Sequence, residues 1–166
     1  MLLTCVPPGG AREAFLALLE SADGSPTQIA SYYQTGDLYV LQGPTGETCG
    51  VTLVVSRGKN VAELKAVAVV ENRQGAGLGQ RMIALVLHEL RSSGFQRVIV
   101  GTASSSIGAI AFYQKTGFRL ETIERDFFST KRGYPPGVTE NGIPVRDMVW
   151  MDQELWLPAA RNSTTR

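Results

Sequence analysis

Three glycines at every second position, Gly75, Gly77 and Gly79, follow a run of strand-forming residues and lead into a helical pattern. Apolar residues recur at helical spacing from Leu78 onward, so a helix begins inside this glycine-rich turn. The first N–H groups of a helix have no partner within it, and the helix dipole places partial positive charge there. Because glycine lacks a side chain, a phosphate can approach this backbone closely. The pattern therefore predicts an anion site that suits a pyrophosphate.

Two common phosphate-binding motifs do not fit this turn. A Walker motif closes with Gly-Lys-Ser/Thr, whereas Gly79 is followed by Gln80 and Arg81. The dinucleotide fingerprint GxGxxG, begun at Gly75, requires its third glycine at the position of Gln80. A turn with a purely structural role is the other interpretation of these glycines.

A second stretch with chemical potential, SIGAIAFYQKTGF, runs from Ser106 to Phe118. Ser106, or one of the two serines before it, can cap a helix that ends by Gly117. This helix carries Tyr113, whose phenol can donate a proton. Taken alone, a tyrosine on an apolar helix face is more often a core residue than a catalytic one.

Together the two stretches resemble the motifs of the GNAT superfamily of N-acetyltransferases. Gln74, Gly77 and Gly79 fill the Gln/Arg-x-x-Gly-x-Gly/Ala pattern of its coenzyme A site. The second stretch is similar to the hallmark Asn-x-x-Ala-x-x-Phe/Leu-Tyr-x-Lys-x-Gly-Phe, and it follows the first in the correct order. Ser106 departs from this pattern, because it stands where asparagine is usual and offers a shorter hydroxyl to the pantetheine arm.

The resemblance implies an enzyme that uses acetyl-CoA and moves the acetyl group directly to a primary amine in a ternary complex. The pyrophosphate would lie on the glycine turn, the pantetheine would pair with the strand before it, and the sulfur would face Tyr113. The implied coenzyme-binding positions are Val67, Ala68, Val69, Gln74, Gly75, Ala76, Gly77, Leu78, Gly79, Gln80, Ser106 and Tyr113.

Acetyl transfer to an amine sets chemical requirements that this chain can meet. A primary amine with a pKa of about 10.4 is protonated at pH 7, so a base must remove a proton before the nitrogen attacks. The developing oxyanion requires fixed N–H donors, which a strand splayed or bulged at 67–69 can supply. By resemblance, Glu63 is the base and Tyr113 protonates the departing thiolate. A solvated carboxylate at a strand end is the other interpretation of Glu63, and the single histidine, His88, is interpreted as structural.

The acceptor side is less specific in the sequence. By resemblance, Tyr32 and Tyr33 are candidate substrate contacts, although packing explains such tyrosines as well. Asp126, Glu140 and Asp147 can bind a cationic amine, and ordinary loop charges are the alternative for them. The expected acceptor is a small-molecule amine or a protein amine, and small amines or antibiotics, polyamines, and protein N-termini or lysines all stay open.

Composition excludes several other classes of protein. With 166 residues, 43% hydrophobic and 19% charged, the chain fits one globular domain. A net charge of +1 without a basic stripe argues against nucleic acid, and no stretch is long and apolar enough to span a membrane. Cys5 and Cys49 lack metal-site or disulfide-framework spacing, so no metal is predicted and the cytoplasm is the expected location.

The elements that position these residues follow from periodicity and breakers. Strands are predicted at 2–6, 38–42, 48–56, 61–69, 97–101, 118–126 and 148–156, and helices at 11–20, 26–33, 78–93 and 106–117. Residues 127–146 hold many breakers and are predicted to form an ordered loop without an element. A single domain is expected over 1–157, with a frayed polar tail over 158–166.

A strand, a crossover helix and a second strand lie parallel, whereas hairpins are antiparallel. The predicted fold class is therefore α/β (α+β), with a GNAT-like, mixed, mostly antiparallel sheet of six or seven strands flanked by about four helices. Edge strands permit a homodimer. The alternative functions are a non-catalytic acyl-CoA-binding sensor module and an interaction domain that only keeps the fold.

Overall fold

The computed structural model of the chain describes residues 1–155. Its strands are β1 (Leu2–Val6), β2 (Asp37–Gln42), β3 (Thr48–Ser56), β4 (Val61–Val69), β5 (Arg97–Ala103), β6 (Arg119–Glu124), β7 (Thr139–Glu140), β8 (Ile143–Pro144) and β9 (Met148–Glu154). Its helices are α1 (Leu16–Glu20), α2 (Pro26–Tyr32), α3 (Leu78–Ser92) and α4 (Ile107–Lys115), and short 3₁₀ segments span Gly10–Phe15, Glu71–Arg73 and Thr130–Arg132. The predicted tail and the last residue of the predicted final strand, Trp156, lie outside the described residues.

Seven strands form one mixed sheet in the order β1-β2-β3-β4-β5-β9-β6. Neighbouring strands are antiparallel except β4 and β5, which are parallel because α3 crosses over between them. The predicted mixed, mostly antiparallel sheet with about four helices is confirmed.

Helices cover both faces of this sheet. The core on the α3 and α4 face includes Leu64, Ile83, Val86, Val100 and Tyr113. The core on the α1 and α2 face includes Leu19, Ile29, Val40, Val51 and Ala66. α3 packs firmly because Met82, Ile83, Val86 and Leu90 recur at helical spacing and are all fully buried.

The parallel pair β4 and β5 separates partway along its length. Val61–Leu64 pairs with Arg97–Val100, and the pairing stops there. On its other side β4 shifts register against β3 next to Lys65, since Leu53 opposes Ala66 while Val54 opposes Leu64. The predicted irregularity at 67–69 therefore begins earlier, with a bulge at Lys65, and leaves a gap between β4 and β5 beyond Leu64.

The prediction that residues 127–146 contain no regular element is wrong. This segment holds one 3₁₀ turn and the hairpin formed by β7 and β8. Asn141 and Gly142 have φ values of 53° and 73°, which match the two-residue turn that joins antiparallel strands. The residues that break longer elements here form the hairpin turn instead. We call residues 125–147, between β6 and β9, the β6–β9 segment.

The first predicted helix is also different, because its first half is the 3₁₀ segment Gly10–Phe15. Arg12 within it is fully buried, and its guanidinium donates hydrogen bonds to the carbonyl oxygens of Val6, Tyr33, Thr35 and Gly36. These bonds fix the segment to the ends of β1 and α2. The remaining predicted elements are found with ends that differ by at most two residues.

Candidate active site

The glycine-rich turn ends β4 and starts α3 with an open backbone. Gly77 is the residue that caps the helix N-terminus, and it adopts a left-handed conformation with φ of 75°. Gly75 has φ of 77°, and a Cβ atom added to either glycine would meet nothing within 4 Å. Because the first helical hydrogen bond runs from Arg81 N–H to the Gly77 carbonyl, the preceding N–H groups have no acceptor within α3. The turn therefore has the geometry of an anion site.

Two further contacts hold this turn against its neighbours. The Gln74 side chain donates a 3.0 Å hydrogen bond from Nε2 to the Val69 carbonyl, which ties the turn to the end of β4. A Cβ atom added to Gly79 would lie 3.1 Å and 3.2 Å from ring atoms of Phe112. Gly79 thus allows α3 to lie close to α4.

The turn opens into a cavity of about 490 Å³, which we call the turn cavity. Its lining includes Val67, Val69, Gly75, Gly77, Phe112 and Tyr113. It lies on the α3 and α4 face of the sheet.

Tyr113 is buried at the wall of the turn cavity, with 8% of its surface exposed. Its ring makes edge-to-face contacts with Phe112 and Phe118, at centroid distances of 5.1 Å and 5.7 Å. Burial raises the pKa of Tyr113, so its phenol keeps its proton throughout the neutral range.

A second cavity, of about 430 Å³, lies on the α1 and α2 face of the sheet. We call it the acidic cavity, because its lining contains the carboxylates of Glu20, Asp23, Glu63 and Glu140. The lining also includes Lys65 on β4, Trp150 on β9, and Phe127, Phe128 and Tyr134 of the β6–β9 segment.

Glu63 is buried in this wall, with 3% of its surface exposed, so the interpretation as a solvated carboxylate is wrong. Arg57 Nε lies 3.1 Å from Oε2, and Lys65 Nζ lies 3.8 Å from Oε1. The Arg57 N–H is not directed at the carboxylate, and Oε2 accepts no hydrogen bond from any residue that the structure describes. The charge of Glu63 is therefore compensated by two cations, while its buried Oε2 is left without a hydrogen bond.

Asp23 lies at the start of the loop before α2 and is oriented by neutral donors. It accepts hydrogen bonds from the Tyr32 phenol at 3.1 Å and from the Ser25 N–H at 3.0 Å. Burial, followed by the Asp23 carboxylate, raises the pKa of Tyr32, and the same causes raise the pKa of Tyr134 to about 12. Tyr32 is 5% exposed, and Lys65 Nζ lies 5.2 Å from its ring centroid. Tyr32 thus supports the wall of the cavity from behind.

Ser106 and Glu140 meet at another wall of the acidic cavity. Ser106 begins α4 but does not cap it, because its hydroxyl donates a 2.5 Å hydrogen bond to Glu140 Oε2. Asn141 Nδ2 also donates to the Ser105 carbonyl at 3.0 Å, which fixes the β7–β8 hairpin to the start of α4. Ser106 lines the acidic cavity, whereas the other predicted coenzyme positions that line a cavity line the turn cavity.

Six predicted site residues line neither cavity: Tyr32, Tyr33, Ala68, Ala76, Asp126 and Asp147. Ala68 packs into the core on the α1 and α2 face. Asp126 forms a 2.6 Å ion pair with Arg146, and its side chain is 61% exposed. The structure therefore gives Asp126 a cation within the same segment.

Several residues that shape the acidic cavity were not predicted from the sequence. Asp23 and Lys65 carry no motif, and their roles depend on the loop before α2 and on the bulge in β4. Phe127, Phe128 and Tyr134 did leave a signal, since three aromatic residues are grouped in a segment that is otherwise rich in breakers. Aromatic residues in an ordered loop are typical of a binding wall.

No group of three His, Cys, Asp or Glu side chains among residues 1–155 is placed to hold a metal ion. None of the helices in this same range has the length and apolar character needed to cross a bilayer.

A mixed sheet that splits between its parallel strands, with a glycine turn on one face and a carboxylate-lined cavity on the other, defines an acyltransferase-like class of protein. A sequence model of the acetyltransferase (GNAT) family matches residues 14–118, which include both motifs. The chain belongs to the GNAT family of acetyltransferases.

Individual relatives agree with this assignment. The uncharacterized N-acetyltransferase YvbK of Bacillus subtilis is 33% identical over 138 residues, which cover 83% of this chain and 87% of YvbK. The crystal structure of a Bacillus subtilis acetyltransferase in complex with CoA is 30% identical, with a TM-score of 0.82 over 93% of this chain and 100% of that one. A GNAT acetyltransferase from Elizabethkingia anophelis with acetyl-CoA bound is 31% identical, with a TM-score of 0.81 over 92% of this chain and 97% of that one.

Proposed function

We propose that this protein is an N-acetyltransferase that uses acetyl-CoA and transfers the acetyl group directly to a primary amine. The observation that carries the proposal is the gap between β4 and β5 beyond Leu64, which has the turn cavity on one face of the sheet and the acidic cavity on the other. A donor and an acceptor that enter from opposite faces can meet there without a covalent enzyme intermediate.

The turn cavity fits the donor. The free N–H groups between Gln74 and Gln80 suit a pyrophosphate, and the open space at Gly75 and Gly77 lets it approach the backbone. The backbone of 67–69 lies beyond the pairing with β5, so it suits the pantetheine arm as an added strand. Acetyl-CoA supplies the acetyl group as a thioester. The CoA and acetyl-CoA complexes of the two structural relatives support this assignment.

The remaining roles fall to side chains of this chain. Glu63, which lines the acidic cavity, takes the proton of the acceptor ammonium directly or through a water molecule. Backbone N–H groups of 67–69 stabilise the developing oxyanion. Tyr113 holds its proton because it is buried, and its Oη delivers that proton to the departing sulfur.

Several features expected from the sequence stay predictions. They are the contact of Ser106 with the pantetheine arm, the substrate contacts of Tyr32, Tyr33 and Asp126, the cytoplasmic location, the homodimer and the domain limit at residue 157. The Ser106 hydroxyl already binds Glu140, so we expect Ser106 to act chiefly on the acceptor side.

Calorimetric titration with acetyl-CoA tests the donor site. The unmodified protein should bind, and Gly77→Glu should lose binding because it places bulk and negative charge in the turn. Gly46→Glu is the matched control, because Gly46 also has positive φ and open space but lies in the turn between β2 and β3. If the unmodified protein does not bind acetyl-CoA, the proposed function is wrong.

Release of free CoA thiol in the presence of a panel of amines tests the chemistry. Turnover with at least one amine supports the enzyme. Binding of acetyl-CoA without acetyl transfer to any amine would instead favour the non-catalytic acyl-CoA sensor.

A further inference from the structure

The acidic cavity carries more negative charge than its own cations neutralise. Lys65 and Arg57 both pair with Glu63. No ion pair with Lys or Arg joins Glu20, Asp23 or Glu140 within the part of the chain that the structure describes. The whole chain has a net charge of only +1, so this excess is a local property of the cavity.

Two of these carboxylates are held in place before any ligand arrives. Asp23 is oriented by the Tyr32 phenol and a backbone N–H, and Glu140 is oriented by the Ser106 hydroxyl at 2.5 Å. These donors are neutral, so they fix the direction of each carboxylate without cancelling its charge. Asp23 is half-buried and Glu140 is exposed, and neither pairs with a Lys or Arg among residues 1–155, so a cationic ligand in the cavity gains a charge-assisted contact with each of them.

A third carboxylate, Glu63, lies in the same wall. It is 3% exposed and lines the cavity, and its Oε2 accepts no hydrogen bond among residues 1–155, although Arg57 Nε lies 3.1 Å from it. Glu63 thus adds one anionic position to the cavity wall. The acidic cavity therefore offers separate anionic positions contributed by β4, by the loop before α2 and by the β7–β8 hairpin.

The surfaces between these positions are aromatic. Phe127, Phe128, Tyr134 and Trp150 form a chain of ring contacts with centroid distances from 4.9 Å to 6.3 Å. Rings of this kind pack well against methylene groups and attract cations to their faces. A ligand that alternates ammonium groups with short hydrocarbon spacers matches this arrangement.

The β6–β9 segment also closes the cavity toward α2. Ser25 Oγ donates to the Gly133 carbonyl at 3.0 Å, and Gln28 Nε2 donates to the Arg132 carbonyl at 2.9 Å. An extended peptide requires a long groove with backbone partners, whereas a compact ligand requires only a volume such as the cavity's, about 430 Å³.

We infer that the acceptor is a small aliphatic polyamine, with one amine held at Glu63 for acetylation and further ammonium groups held by Asp23 and Glu140. This inference rests on the proposed function and narrows it to one class of acceptor. The rim carboxylate of Glu20 adds to the attraction before binding.

Acetylation rates with matched amines test the inference. 1,4-Diaminobutane and spermidine are compared with butylamine and with an N-terminally free alanine peptide amide, at saturating acetyl-CoA. We expect kcat/KM for the polyamines to exceed that for butylamine by about ten- to a hundredfold, the range for one or two charge-assisted contacts. An equal or higher kcat/KM with butylamine or the peptide would overturn the inference, but it would still support the proposed acetyltransferase function.

Two charge-neutralising variants test whether Asp23 and Glu140 cause the preference for polyamines. Asp23→Asn and Glu140→Gln should each raise KM for spermidine about tenfold and change KM for butylamine much less. Glu89→Gln, which removes an exposed carboxylate of α3 on the other face of the sheet, should change neither. Thermal unfolding of all three variants checks that they are folded. If the ratio of KM for butylamine to KM for spermidine is unchanged in both cavity variants, the inference is wrong. If the unmodified protein does not bind acetyl-CoA, the proposed function itself is wrong.

Discussion

Glu63 and Tyr113 are both buried, yet they lie in different surroundings. Glu63 has two cations within 4 Å and lies in the wall of the acidic cavity. Tyr113 lies in the apolar core, in contact with the rings of Phe112 and Phe118, and burial raises its pKa. One group can therefore take up a proton while the other keeps its own, which suits a base and an acid on two sides of one reaction.

Removing the Tyr113 hydroxyl should slow the reaction without weakening coenzyme binding. Tyr113→Phe keeps the ring contacts with Phe112 and Phe118 and loses only the proton donor. We expect turnover to fall by roughly ten- to a thousandfold, the usual range for a lost general acid. Steady-state rates and calorimetric titration with acetyl-CoA measure the two effects. Unchanged turnover would remove Tyr113 from the mechanism.

Replacing Glu63 should produce a loss that depends on pH. If Glu63 is the base, as proposed, the acceptor amine loses that base in Glu63→Gln, but free amine becomes abundant by itself as the pH approaches about 10. We expect the rate deficit of the variant to be large at pH 7 and to shrink steadily at higher pH. A pH–rate profile of both proteins measures this change. A deficit that is the same at every pH would show that Glu63 has another role.

At the scale of elements, the contact between α3 and α4 depends on one missing methyl group. Gly79 and Gly108 occupy the same second position of their helices, but only Gly79 faces a neighbour at that site, the ring of Phe112. Alanine favours a helix over glycine by up to about 1 kcal/mol, whereas overpacking costs about 1–3 kcal/mol.

The two alanine variants should therefore have opposite effects on stability. Gly108→Ala should leave the free energy of unfolding unchanged or raise it, because its Cβ meets nothing within 4 Å. Gly79→Ala should lower it by about 1 kcal/mol, since its Cβ meets Phe112 at 3.1 Å. Urea unfolding measures both. The loss should largely disappear when Phe112→Leu is added, and a loss that persists in that double variant would contradict the steric explanation.

Elements that depend on local sequence signals could be predicted, whereas features that depend on tertiary contacts could not. The helix of residues 78–92 was predictable because both of its signals are local in the sequence: the spacing of its apolar residues, and Gly94, which takes a left-handed conformation just after its end. The β7–β8 hairpin was missed because two-residue strands leave no periodicity. Asp23 was missed because its importance comes from a phenol that reaches it in the folded chain. The turn cavity could thus be anticipated from its motif, whereas most of the acidic cavity could not.

At the scale of the whole molecule, several tyrosines connect stability to alkaline pH. Burial raises the pKa of Tyr39 and of Tyr134 to about 12, and it also raises the pKa of Tyr32 and Tyr113. Each phenol then releases its proton more readily from the unfolded chain. Their contribution to stability is fully present below pH 10, the ordinary tyrosine value, and is lost as the pH rises through the folded-state values.

The free energy of unfolding should therefore fall steeply above pH 10, by up to about 1.4 kcal/mol per pH unit for each of these tyrosines. Tyr39→Phe should reduce that slope, because it removes one of the groups. Urea unfolding at a series of pH values from 8 to about 11 measures the slope for both proteins. A slope that is identical in Tyr39→Phe would rule out a contribution from this residue.

The separation of β4 from β5 also determines the order in which the two reactants can bind. Because the turn cavity and the acidic cavity open on opposite faces, neither reactant has to pass the other, and either one can arrive first. Initial-rate plots at several fixed amine concentrations should therefore intersect rather than run parallel. An unreactive analogue of acetyl-CoA should compete only with acetyl-CoA, and an unreactive analogue of the amine should compete only with the amine. Two inhibitors, one for each cavity, can therefore bind the protein at the same time.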